Sequence, residues 1–164
     1  LDYFIGLGSN LGDRLATIDA AVAQLADLGL VTQRSSIWET PPMYVSEQPA
    51  FLNGIVVLRS DLSPAELMTG LLRIEESLGR VRAERYGPRT IDLDIVAAGD
   101  TVLKSDFVEI PHPRLEERAF VVIPLIEVAG DWRNPATSHT LGSLPVASTE
   151  LRCVAPRLTA PATQ

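Results

Sequence analysis

Two rhythms of apolar positions run along this chain, and they set out its elements. Tyr3-Phe4-Ile5-Gly6-Leu7 is a short apolar run closed by Gly8-Ser9-Asn10, which predicts a buried strand over 3–7. Leu15, Ile18, Val22 and Leu25 then recur at intervals of three and four, the stripe of an amphipathic helix. Asp13 suits its N-cap and Gly29 its stop. Residues 31–38 interleave polar and apolar side chains and are β-compatible. Thr40-Pro41-Pro42 removes the N–H from two successive residues, so a loop is expected over 40–49. Ile55-Val56-Val57-Leu58 predicts a third strand.

Ser63-Pro64-Ala65-Glu66 is the strongest local signal: an N-cap serine, a proline at the first helical position and a capping-box glutamate. Leu67, Leu71, Ile74 and Leu78 give that helix its apolar stripe, and Gly79 ends it. A basic loop over 80–89 precedes a fourth strand over 90–96. Val102-Leu103 and Val108-Glu109-Ile110 suggest a small extra hairpin, broken by Pro111-His112-Pro113. A last helix is expected over 118–129, with Pro124 tolerated only near its first turn.

Strand, helix, strand, strand, helix, strand is the order of a ferredoxin-like βαββαβ sandwich of the α+β class, here with a C-terminal extension. A length of 164 residues suits one domain, taken as 1–153. Residues 154–164, rich in Pro, Thr and Ala, read as a mobile tail. Cys153 is the single cysteine, so a reducing compartment is expected. No apolar run approaches the ~18 residues of a membrane span, and residues 1–6 do not read as a secretory signal. A cytoplasmic protein with no membrane partner is the expectation.

Charge narrows the ligand class. Fourteen basic residues against twenty-one acidic ones give a net charge of −7, which argues against a nucleic-acid partner. All the basic residues except Lys104 are arginine, and Arg80, Arg82, Arg85 and Arg89 fall within ten positions. A local arginine cluster on an acidic chain points to a small anion.

Asp92 and Asp94 sit two apart on the fourth strand, so both carboxylates leave one face while Ile91, Leu93 and Ile95 face the core. Adjacent carboxylates repel unless a cation lies between them, and Mg²⁺ held by one or two carboxylates plus substrate phosphates answers that need. The competing reading is a solvent-facing or arginine-paired couple. The arginine loop next door grips phosphate in bidentate fashion or is simply a solvated charged loop. Metal plus arginines is the recurring equipment of phosphoryl transfer. Gly6-Leu7-Gly8-Ser9-Asn10 has the look of a phosphate-gripping turn without the spacing of a dinucleotide motif or a P-loop lysine. His112, held extended and exposed between two prolines, is either a donor to phosphate or an ordinary loop histidine. Trp132 reads as packing, and His139 carries no assignment.

Several stretches together resemble the 6-hydroxymethyl-7,8-dihydropterin pyrophosphokinase family of folate biosynthesis. They are Gly6-Leu7-Gly8-Ser9-Asn10-Leu11-Gly12-Asp13, Thr40-Pro41-Pro42, Gln48-Pro49-Ala50-Phe51-Leu52-Asn53, Gly79-Arg80-Val81-Arg82, Arg85-Tyr86-Gly87-Pro88-Arg89-Thr90-Ile91-Asp92-Leu93-Asp94 and Ile110-Pro111-His112-Pro113-Arg114-Leu115. The likeness spans about residues 3–130.

The resemblance implies transfer of pyrophosphate from ATP to the hydroxymethyl group of the dihydropterin, releasing AMP. It implies two Mg²⁺ ions on Asp92 and Asp94. Arg89 with Arg80 or Arg82 would neutralise the reacting phosphates, with Tyr86 as the aromatic of the loop. His112 and Arg118 would contact ATP phosphates, and Glu75 and Ile95 would lie near the nucleotide. On the pterin side it implies Phe51 and Phe120 as stacking rings, Asn53 as the ring-edge partner, and Gly8, Thr40, Pro41 and Met43 as lining. Without the resemblance, Phe51 and Phe120 read as core. The implied enzyme takes two small-molecule substrates and is monomeric or weakly associating. The residues alone also admit a regulatory module sensing a phosphorylated metabolite, and a Mg²⁺-dependent phosphohydrolase.

Overall fold

Alternation along the first strand divides the molecule into two cores. In β1 (Asp2–Ser9), Tyr3, Ile5 and Leu7 point to one face of the sheet and Phe4 to the other. The computed structural model describes residues 1–40, 50–79 and 90–157. Pro41, Met43, Arg80, Arg82, Tyr86 and Arg89 lie outside those residues.

The first face is covered by α1 (Arg14–Gln24) and α2 (Pro64–Ser77). Ile18, Ala21, Leu67, Leu71 and Ile74 descend from them onto Tyr3, Ile5, Leu7, Leu93 and Ile95. Each fully buried Leu or Ile contributes about 1.5–3 kcal/mol. Both helix starts follow the expected caps. Asp13 accepts from the Ala16 N–H, and Ser63 and Glu66 form the complete reciprocal box. Gly79, at φ +85°, follows the end of α2 in a conformation that favours glycine. Gly29 works differently from a helix stop. A Cβ there would lie 2.3 Å from the Arg59 carbonyl oxygen, so close backbone approach dictates it.

The expected second strand is two: β2 (Leu30–Arg34) and β3 (Ile37–Thr40). Both pair antiparallel with β4 (Phe51–Arg59), and Ser35-Ser36 interrupts them. The Ile55 N–H donates to Ser35 Oγ at 2.8 Å, so a side chain stands in for a ladder carbonyl at the break. A Cβ on Gly54 would meet Ile37 Cδ1 at 2.8 Å, so glycine is what lets the interrupted strand close up. With β5 (Asp92–Ala98) the sheet runs β5-β1-β4-β3, and β2 also lies against β4. The small hairpin is present as β6 (Leu103–Lys104) and β7 (Glu109–Ile110).

The extension builds the second core. Helix α3 (Ala119–Ala129) lays Val121, Val122, Leu125 and Val128 on Phe4, Ile55, Val57, Val96 and Ala97. Pro124 lies in its second turn, deeper than expected. Burial on nearly all sides holds this apolar helix despite the lost N–H. Trp132 packs edge-on to Phe4 at 5.9 Å and donates to the Gly99 carbonyl. The tail expected from 154 starts too early. The strand β8 (Arg152–Ala155) pairs with β3, and the expected boundary falls inside it. The free edge of β3 is what recruits these residues. Arg157 continues the attachment, its N–H donating to Ser36 Oγ at 2.9 Å. No helix among the described residues is long and apolar enough to cross a membrane.

The result is a mixed α/β structure: an antiparallel sheet with two helices on one face and one on the other.

Candidate active site

Helix α3 covers only part of its face of the sheet. Beyond its N-terminal end the strands turn small and polar on that face. Gly6 and Gly8 on β1 stand in register with Asp94 and Asp92 on β5. Gly8 is also paired with Asn53 on β4, and Phe51 pairs with Thr40 on β3. The bare stretch is the floor of a cleft enclosing about 970 Å³, open solvent included. Its walls include His112, Leu115, Arg118, Phe120 and Val121.

The glycines make this floor. A Cβ on Gly8 would lie 3.0 Å from Asn53 Oδ1, and one on Gly6 would lie 3.2 Å from Val96 Cγ2. The sequence presents Gly6 only as part of the Gly6-Leu7-Gly8-Ser9-Asn10 turn, not as cleft lining. Its signal was the period of two that places it beside Gly8 on one face. Leu7, Gly54, Ile55, Val96, Leu115 and Val121 also line the cleft. Their apolar character gave no cue that separates lining from core.

Of the expected site residues, Gly8, Thr40, Phe51, Asn53, Asp92, Asp94, His112, Arg118 and Phe120 come together in this one cleft. Phe51 and Phe120 are half-buried cleft walls rather than closed core. Thr40 and Asn53 are buried and joined, Asn53 Nδ2 donating to Thr40 Oγ1 at 2.8 Å. Glu75 and Ile95 do not line the cleft. Ile95 packs in the core beneath α1 and α2, as its alternation with Asp94 requires. Glu75 is buried on α2, and its Oε2 accepts the Leu93 N–H at 2.8 Å, bracing the strand between the two aspartates.

His112 is not the exposed loop residue expected between its prolines. Its N–H donates to the Val96 carbonyl at 2.8 Å, and the ring forms part of the cleft wall. Burial pulls its pKa down to about 4; the Arg118 charge adds to this, Asp92 opposes it and Arg114 reinforces it. The imidazole is therefore neutral near pH 7. Its Nδ1 accepts the Arg114 N–H at 3.1 Å, which leaves the proton on Nε2.

Arg118 precedes α3, with its guanidinium 5.6 Å from the centre of the Phe120 ring. Its Nε is buried and has no hydrogen-bond partner among the described residues. A buried donor without an acceptor costs about 1–3 kcal/mol, which a bound anion would recover.

The donor set also fits a hard cation. Asp92 and Asp94 offer carboxylate oxygens on the glycine floor, and no group of three or more His, Cys, Asp or Glu side chains among the described residues forms a closed metal cage. Two neighbouring carboxylates suit Mg²⁺, which is commonly bound by one or two carboxylates plus substrate phosphates and water.

The family described as 7,8-dihydro-6-hydroxymethylpterin-pyrophosphokinase matches residues 4–130. The chain is 43% identical over 138 residues to the 2-amino-4-hydroxy-6-hydroxymethyldihydropteridine pyrophosphokinase of Synechocystis sp., covering 84% of this chain and 71% of that protein. It is 42% identical to the Bacillus subtilis protein of the same name, covering 82% of each. The mitochondrial folate synthesis bifunctional protein of Pisum sativum is 45% identical over 130 residues, covering 79% of this chain and 25% of that longer one. Among solved structures, HPPK-DHPS of Plasmodium falciparum shares the fold with a TM-score of 0.65 at 15% identity, covering 87% of this chain and 42% of that one. With the match over residues 4–130 and these identities, the chain belongs to the 7,8-dihydro-6-hydroxymethylpterin-pyrophosphokinase family.

Proposed function

We propose that this protein transfers the pyrophosphoryl group of ATP to the hydroxymethyl oxygen of 6-hydroxymethyl-7,8-dihydropterin. The hydroxyl oxygen attacks the β-phosphorus, the bond from that phosphorus to the α,β-bridging oxygen breaks, and AMP leaves with that oxygen. The hydroxyl proton passes to solvent. The observation that carries the reading is one cleft holding the two aspartates, an Arg118 Nε with no partner among the described residues, and the two half-buried phenylalanines.

Strand order supports a division of labour across the cleft. The aspartates lie on β5 and Asn53 on β4, two strand spacings or about 10 Å apart. A flat bicyclic ring fits over β4 between Phe51 and Phe120, with Asn53 offering donor and acceptor to its edge. The exocyclic hydroxymethyl group then reaches toward β5. His112 donates from Nε2 to a phosphate oxygen, and Arg118 supplies a fixed positive charge with its buried Nε–H. Asp92 and Asp94 would hold two Mg²⁺ ions, which would supply positive charge to offset that of the triphosphate. Arg80, Arg82 and Arg89, with Tyr86, carry the phosphate roles implied by the family, and Pro41 and Met43 complete the pterin side. The frame fits a ferredoxin-like βαββαβ unit whose second strand is β2 and β3 together. The protein acts as a monomer.

Asp94→Ala tests the reading. AMP formation should fall about a thousandfold or more, while thermal unfolding stays near that of the wild type. Near-normal AMP production by the variant would remove the aspartates from the mechanism.

A further inference from the structure

Arg14 opens α1, one residue after the capping Asp13. Its side chain reaches the end of the sheet where β3 stops and β4 begins. Its guanidinium donates to the Ala50 carbonyl at 2.7 Å and stands 3.5 Å from Glu39 Oε2. The pair is shielded, with side-chain exposures of 30% for Arg14 and 25% for Glu39. Arg152 approaches the other Glu39 oxygen only at 3.7 Å and is 78% exposed, so it adds little.

The two residues that Arg14 holds each neighbour a cleft residue. Glu39 precedes Thr40, and Ala50 precedes Phe51. Thr40 and Phe51 are partners in register, at the end of a β3–β4 ladder of only three residue pairs. Such a short ladder holds its last pair weakly by itself. Thr40 in turn fixes the Asn53 amide through the bond to its Oγ1. One cation on a different element thus ties both strands beside the residues that face the flat ring. The aspartates, by contrast, stand on β5 on the far side of β1.

We infer that Arg14, acting through Glu39 and Ala50, is a positioning residue for the heterocycle and not for the nucleotide. The inference rests on the function proposed above. Arg14→Ala should let the Thr40–Phe51 end of the ladder fray and free the Asn53 amide to turn. Pterin binding then suffers, while the β5 side keeps its geometry.

The test is titration of the whole chain with two probes. One is the Mg²⁺ complex of the α,β-methylene analogue of ATP. The other is 6-hydroxymethyl-7,8-dihydropterin added to protein saturated with that analogue. Arg14→Ala should weaken pterin binding, and raise its KM, by about tenfold. Affinity for the nucleotide analogue should stay within about twofold. Arg14→Lys should recover part of the loss. If Arg14→Ala fails to fold, Glu39→Gln should show the same split more weakly. Unchanged pterin affinity, or an equal loss for both probes, would overturn the inference, because a merely structural tie would not separate the two ligands. A wild-type protein that makes AMP while Arg14→Ala shows no split overturns this inference alone. A wild-type protein that makes no AMP overturns the proposed function and this inference with it.

Discussion

Asp92 and Asp94 share a face because a strand repeats every two residues, and the glycines opposite keep that face open. This much is legible in the residues, since Leu93 and Ile95 between and beyond them are apolar. The same alternation sends Ile95 away from the cleft, so a residue near a ligand in sequence need not present its side chain to it. His112 was legible as a candidate but not in its state, because the burial that sets its charge comes from the cleft wall. Its depressed pKa has a definite sign. The unfolded chain binds a proton near the ordinary histidine pKa of 6.5, whereas the folded one resists it until about pH 4. Its contribution to stability is therefore constant above 6.5, falls as pH drops from 6.5 to 4, and levels off below. In metal-free protein, NMR titration should find the His112 ring neutral down to about pH 4. The stability difference from His112→Gln should move over the same window. A midpoint near 6.5 would contradict the burial account.

At the scale of elements, the helices beneath the sheet announced themselves through the caps at Asp13 and Ser63, which are local signals. The attachments on the other face did not. Glu127 on α3 accepts from Ser36 Oγ at 2.7 Å and from Trp38 Nε1 at 2.8 Å, across about ninety residues of chain. Arg157 adds a bond to the Glu127 carbonyl at 2.6 Å. No spacing rule connects residues so far apart, so the sequence alone does not place Val154 and Ala155 in a strand. These bonds pin the break between β2 and β3 to the helix, whose first turn carries Phe120. Glu127→Ala strands the Ser36 hydroxyl and the indole N–H together, and should cost about 2–4 kcal/mol in chemical denaturation. A loss under about 0.5 kcal/mol would mean that the second core holds β3 without this tie.

For the molecule as a whole, the sheet acts as a divider. One face is closed by α1 and α2 and supplies the larger core. The other is shared between α3 and a cleft where negative side chains on β5 meet the positive charge of Arg118. Net charge alone, at −7, argues against a polyanion partner but does not show this local meeting of signs. In the proposed reaction one β-phosphoryl group moves, together with the γ-phosphoryl group, to the pterin hydroxymethyl oxygen. ATP labelled at the β-phosphorus, incubated with the whole chain, Mg²⁺ and 6-hydroxymethyl-7,8-dihydropterin, tests it most directly. The label should appear in a pterin diphosphate, with an equal amount of unlabelled AMP and neither product without the pterin. Label recovered in ADP, in inorganic phosphate or in free pyrophosphate would contradict it.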